Sequence, residues 1–169
     1  IACVITEKGS QRVALVDAAT GAHTAVTPAI AGREYTVLSW GPRGILAARF
    51  DGRSRDIALL DPSTGEESIL VGGIADERDP RWDDTGEGFF YASDRTGIFN
   101  VFHRSLDGAV DERITNVVGG AFAPAQQGAA LVYAAYGPDG FEIRRIGDWR
   151  AAAVPVDPSL DSVSLAEAR

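Results

Sequence analysis

The chain has 169 residues, 45% of them hydrophobic and 24% charged, with a formal net charge of -8, enough for one domain with a real core. The acidic balance argues against nucleic acid and against an anionic lipid surface, both of which require clustered positive charge, and no apolar run approaches the roughly 20 residues of a membrane-spanning helix. One cysteine, Cys3, excludes an internal disulfide and a cysteine-based zinc site. The chain opens at Ile1 and contains no methionine. It reads as a mature or excised piece, which leaves targeting of a precursor undefined.

The first predicted strands are Ala2–Thr6, Arg12–Asp17 and Ala22–Thr27, separated by turns at Lys8-Gly9-Ser10 and Ala19-Thr20-Gly21 and stopped by Pro28. β-branched enrichment between turn residues is the warrant. Next come Thr36–Trp40, Ile45–Phe50, Asp56–Leu60 and Glu67–Val71, with turns at Gly41-Pro42-Arg43-Gly44, Asp51–Ser54 and Asp61-Pro62-Ser63-Thr64-Gly65. A third set follows in Asp79–Trp82, Gly88–Ser93, Ile98–Arg104 and Glu112–Thr115. A fourth holds Gly120–Pro124, Ala130–Tyr136 and Phe141–Ile146, with no further strand. Residues 148–169 are Ala-, Pro- and Ser-rich and read as a linker or tail, with a weak helix at Ser164–Arg169.

These sets repeat. Ser39-Trp40 recurs as Arg81-Trp82, and Asp17-Ala18-Ala19-Thr20-Gly21 recurs as Asp61-Pro62-Ser63-Thr64-Gly65, 42 and 44 residues apart. Short strands at this period predict an all-β chain, a β-propeller built of four-stranded blades. The runs Ile45–Phe50, Phe89–Tyr91 and Ala130–Tyr136 are apolar throughout, as expected for strands packed on both faces by neighbouring blades. The predicted blades span residues 1–34, 35–74, 75–117 and 118–147.

The stretch Asp79-Pro80-Arg81-Trp82-Asp83-Asp84-Thr85-Gly86, continued by Gly88–Ser93 and Asp94-Arg95, resembles the repeat of TolB-type six-bladed propellers. Trp40–Asp61 and Ala130–Ile146 resemble it in degenerate form. The family's Ser-Pro-Asp-Gly turn is replaced by Asp83-Asp84-Thr85-Gly86 and Gly41-Pro42-Arg43-Gly44, in which the closing glycine persists, as a backbone of positive φ requires. The resemblance implies a partial propeller of about three and a half to four blades. It also implies a bacterial envelope protein, periplasmic or associated with the outer membrane, in the manner of the Tol–Pal system. A narrower likeness of Arg113–Pro124 and Tyr136–Ile143 is to propellers that precede an outer-membrane β-barrel.

Chemistry is sparse. His23 and His103 share no metal-ligand spacing, and no Gly-x-Ser-x-Gly elbow is present. Asp83, Asp84 and Glu87 lack the alternating acidic pattern of a calcium loop and read as a solvated turn. His103 reads as a partly exposed blade residue, Asp94 as a cap on its own turn, and Trp40 and Trp82 as buried inter-blade packing.

The reading is therefore a non-enzymatic scaffold that binds a protein partner, with no cofactor and no metal. Position alone nominates Asp79, Arg81, Gly120 and Phe122, at the inner strands. One rival is the substrate-gating propeller of a prolyl-oligopeptidase-type peptidase. Another is a carbohydrate-binding propeller, for which Tyr35, Tyr136 and Phe141 are the aromatic candidates on a rim. The open ends of a partial propeller predict self-association or pairing with missing blades.

Overall fold

A computed structural model describes residues 1–156; the helix expected at Ser164–Arg169 lies outside the described residues. The described chain forms four antiparallel sheets in sequence order. The first holds β1 (Ala2–Glu7), β2 (Ser10–Val16) and β3 (His23–Ala25). The second holds β4 (Glu34–Gly41), β5 (Gly44–Phe50), β6 (Arg55–Leu60) and β7 (Glu67–Val71). In the third, β8 (Glu77–Trp82), β9 (Gly88–Ser93), β10 (Asn100–Ser105) and β11 (Asp111–Arg113) are followed in space by β15 (Val154–Pro155). The fourth holds β12 (Ala121–Gln127), β13 (Ala130–Gly137) and β14 (Gly140–Ile146). A single short helix, α1 (Trp149–Ala152), is the only helix among the described residues.

Each sheet is a meander of neighbouring strands, the up-and-down order of a propeller blade. The first strands of successive blades touch, β4 against β8 and β8 against β12, and so form the inner wall. Register identifies what each end blade lacks. Ala2 faces Leu15 across β1 and β2, as Leu46 faces Leu59 across β5 and β6. The strands β1–β3 therefore correspond to β5–β7, and blade one has no innermost strand among the described residues. Blade four has no outermost one.

Three apolar clusters lie between the four blades. Val13 packs with Tyr35, Ile45, Ala47 and Leu60 between blades one and two. Leu46, Ala48, Ile57 and Val71 meet Phe89, Tyr91 and Phe102 between blades two and three. Phe90 and Val101 meet Leu131, Tyr133 and Ala135 between blades three and four. Phe89 and Tyr91 point to one side of β9 and Phe90 to the other, so the unbroken apolar run serves two interfaces. The turn glycines expected to need positive φ have it, Gly86 at 71° and Gly44 at 134°.

Several local expectations are corrected. Trp82 is partly buried, with its indole N–H donating to the Ser39 carbonyl at 3.0 Å, but Trp40 is 50% exposed. The two occupy the same register, Trp40 opposite Ile45 and Trp82 opposite Phe89. Trp82 leans on the inner strand of the preceding blade, and Trp40 has no such strand beside it among the described residues. Tyr35, expected on a rim, is only 2% exposed; its hydroxyl donates to Glu67 at 2.7 Å inside the first interface. Asp94 accepts from the backbone N–H of Asp76 rather than from its own turn.

Residues 148–156, expected as linker, are docked. Asp148 caps α1, Trp149 is 3% exposed in the third interface, and Val154–Pro155 pair with β11. A tryptophan in an Ala- and Pro-rich stretch can fill a gap at an interface that strand periodicity does not reveal.

Candidate functional site

The three complete inner strands share one irregularity. Each is bulged near its start, between Thr36 and Leu38, between Arg78 and Arg81, and between Phe122 and Ala125. Within each bulge one non-glycine residue is left-handed: Val37 at φ 47°, Asp79 at 53° and Ala123 at 48°. A β-branched residue such as Val37 rarely adopts this conformation, so the surrounding ladder must impose it. Bulges of this kind re-aim side chains and free backbone amides at the rim of a sheet.

One of those amides is engaged. The Asp79 carboxylate accepts the backbone N–H of Ala123 at 2.9 Å, which ties the bulge of blade three to that of blade four. Gly120 is buried at φ 151°, and a Cβ there would lie 2.7 Å from the Phe122 ring. Its carbonyl accepts the N–H of Tyr136 at 2.9 Å. Asp79, Gly120 and Phe122 therefore lie near one another where β8 and β12 meet. Arg81 stands two residues further along β8, exposed on the inner wall opposite Phe90.

Phe122 belongs to an aromatic row. Its ring lies 5.0 Å from Phe99 and 6.0 Å from Phe141, and Phe141 lies 5.0 Å from Tyr136. Phe141 and Tyr136 are 69% and 51% exposed. The Arg78 guanidinium sits over Phe99, 5.0 Å from its centroid. Arg78 is also held by Asp76, which reaches Arg55 at 3.3 Å. Phe99 was not nominated from sequence: it stands before β10, and only the fold brings it to Phe122.

Two residues before Asp79 on β8 lies Glu77, 2% exposed. One carboxylate oxygen accepts the Ser93 hydroxyl at 3.0 Å, and the other has no hydrogen-bond partner among the described residues. Burial pushes its pKa up to about 7, against the pull of Ser93 and of the Arg95 charge.

His103, Asp83 and Asp84 serve structure. His103, expected to be partly exposed, is 8% exposed, its ring tilted against those of Phe90 and Trp149, with Nε2 3.1 Å from Asp83. Asp83 is therefore no solvated turn residue: its carboxylate also accepts the Thr85 hydroxyl and the Gly86 N–H. Burial raises its pKa, but the hydrogen bonds from Thr85, His103 and Gly86 outweigh burial and lower it. Asp84 joins blades instead, accepting the Gly128 N–H at 2.8 Å while its own N–H donates to Gln126. No group of three His, Cys, Asp or Glu side chains among the described residues is arranged to hold a metal ion.

The arrangement of blades has structural parallels. TolB from Acinetobacter baumannii superposes with a TM-score of 0.76 at 19% identity, over 91% of this chain and 39% of that one. A TolB candidate from Agrobacterium tumefaciens gives 0.70 at 24%, over 85% of this chain and 55% of that one. Puromycin hydrolase gives 0.66 at 13%, over 88% of this chain and 25% of that one. By sequence, an uncharacterized protein of Agrobacterium fabrum is 29% identical over 104 residues, 60% of this chain and 36% of that protein. No family model matches the chain. The chain is thus an all-β protein of the propeller class. More narrowly, its fold is that of a TolB-like propeller, of which it spans only a part.

Proposed function

We propose that this chain is a non-enzymatic, protein-binding segment of a bacterial envelope propeller, located in the periplasm or at the outer membrane. The observation that carries the reading is the mouth itself. Asp79 is a left-handed bulge residue tied to the next bulge at Ala123, Gly120 and Phe122 stand before and at that second bulge, and beside them lie Arg78 and an aromatic row whose Tyr136 and Phe141 are exposed; these features support the reading. Aromatic and arginine side chains are the residues that concentrate binding energy at protein interfaces. The TolB-like fold supports the envelope setting by analogy.

A photo-crosslinking side chain at Phe122 or Arg81, in envelope preparations of the source cell, should capture one defined protein. The same group at Thr20, on an exposed turn, should not. Equal yields at the two positions would remove the mouth as the binding surface.

A second reading is favoured by the likeness to puromycin hydrolase. There the propeller would gate substrates for a hydrolase domain elsewhere in the parent protein. A hydrolase-coding sequence downstream in the same gene would support it, and a barrel-coding sequence would support the scaffold. The carbohydrate reading loses Tyr35 to the core but keeps Tyr136 and Phe141. Glycan-array binding abolished by Phe141→Ala would favour it over the protein scaffold.

A further inference from the structure

Glu77 is the first residue of β8, and its hold on the sheet is short. Glu77 pairs with Ser93 and Arg78 with Ala92, and then the bulge interrupts the register until Arg81 meets Phe90. The start of β8 is thus a two-residue tether, separated from the rest of the strand by the bulge that contains Asp79. So short a piece of ladder opens more readily than the body of a sheet. Asp79 is left-handed at φ 53°, a conformation that persists only while its surroundings impose it. Its carboxylate accepts the Ala123 N–H at 2.9 Å and so joins blade three to blade four. A second tie between the same blades, Asp84 on the Gly128 N–H at 2.8 Å, lies past the far ends of β8 and β12 and does not involve Glu77.

The surroundings of Glu77 suit the protonated acid. One carboxylate oxygen takes the Ser93 hydroxyl, and the other meets no donor among the described residues. An ionised carboxylate is acceptor-only and is costly to bury without donors on both oxygens. The neighbouring cations are engaged with other acids. Arg95 reaches Asp111, Arg78 and Arg55 reach Asp76, and Arg49 on β5 reaches Glu67 and Asp56. The neighbouring acids are Asp56 on β6, 9% exposed, and Asp94, which accepts the Asp76 N–H. On the remaining strands against β8, β12 carries no charged side chain and Glu34 of β4 is exposed. Burial first of all pushes the Glu77 pKa up to about 7, against the pull of Ser93 and Arg95, and the Asp56 and Asp94 charges push the same way.

We propose that Glu77 is a proton-controlled latch on the bulge of blade three. Protonated, it stays buried on Ser93 and the bulge keeps Asp79 on the Ala123 amide. Ionised, it gives its proton to solvent and leaves Ser93 for water. The two-residue tether opens with it, the left-handed strain at Asp79 relaxes, and Ala123 is released. The junction of β8 and β12 thus changes shape near neutral pH, whatever binds there. Asp84 and Gly128 stay joined, because nothing in their tie titrates with Glu77.

The test follows hydrogen exchange at the amides of Ala123 and Gly128 in the whole chain, as protection corrected for intrinsic rate, between about pH 5.5 and about pH 8.5. Ala123 should lose protection about tenfold or more as pH rises through about 7, while Gly128 keeps its own. In Glu77→Gln, Ala123 should stay protected across the whole range. Flat protection of Ala123 in the parent chain would overturn the proposal. So would a parallel fall at Ala123 and Gly128, which marks loss of stability throughout the chain rather than a local opening. A fall that survives in Glu77→Gln would assign the titration to another group and overturn it equally. The contrast between Ala123 and Gly128 in the parent chain decides alone if the variant does not fold.

Discussion

The indole N–H of Trp82 donates to the backbone carbonyl of Ser39, 3.0 Å away in the preceding blade. That contact crosses 43 positions of sequence and fastens two repeats that have no covalent reason to meet. Trp82→Ala removes it together with part of an inter-blade core. The expected loss is about 3 kcal/mol, the low end for truncating a large aromatic because Trp82 is only partly buried. Trp40→Ala, at the same register but half exposed, should change stability by under about 1 kcal/mol. Denaturant midpoints of the two variants check the contrast, and equal losses would contradict it.

Glu77 makes stability depend on pH. Its folded pKa, pushed up to about 7 by burial, exceeds the ordinary carboxylate value. The folded state therefore holds a proton that the unfolded state releases first. Below the unfolded pKa of about 4.3 this group favours neither state. As pH rises from there to about 7 the unfolded state gains, and the folded protein loses stability, on the order of a few kcal/mol. Glu77→Gln should flatten that window and stabilise the chain above neutral pH. Urea melts of both proteins at pH 5 and pH 8, about either side of the midpoint, measure it.

Trp149 is the pin of the C-terminal segment. It packs on Phe90 at 4.9 Å and on His103 at 4.6 Å, five residues ahead of the Val154–Pro155 strand that pairs with β11. Trp149→Ala should cost about 3 kcal/mol and leave the amide of Val156, which donates to Asp111, open to rapid exchange. Hydrogen exchange distinguishes this from a free linker, for which the amide would already exchange rapidly in the parent chain.

Asp79 links the bulges of two blades through the Ala123 amide. Asp79→Asn keeps an acceptor oxygen and should be close to neutral. Asp79→Ala loses it and keeps the left-handed backbone strain, for an expected cost of about 1–2 kcal/mol. Thermal melts of the pair decide, and a neutral alanine variant would show that the link contributes nothing.

Much of this was legible in sequence because it is periodic. Trp82, Gly86 and the apolar run Phe89–Tyr91 announce a blade by spacing and composition, and two-sided burial of that run follows from an absence of alternation. What was not legible depends on neighbours rather than on local pattern. Trp40 and Trp82 look alike in sequence and differ because only one has an inner strand beside it. Phe99 joins Phe122 across a blade boundary, and Trp149 fills an interface from a segment with no strand period. The left-handed bulge at Asp79 and Ala123 has no glycine to betray it, since the fold imposes it on ordinary residues.

These four blades form an open part of a TolB-like propeller. The outer side of blade four leaves Phe141 and Ile143 69% and 75% exposed, and blade two leaves Trp40 half exposed. Apolar surface of this kind drives association. Light scattering of the isolated chain across a concentration series tests the claim most directly. The account predicts a mass that rises with concentration, through pairing of terminal blades. A strictly monomeric species that unfolds cooperatively at the highest concentration would contradict it and would mean that the chain closes on itself.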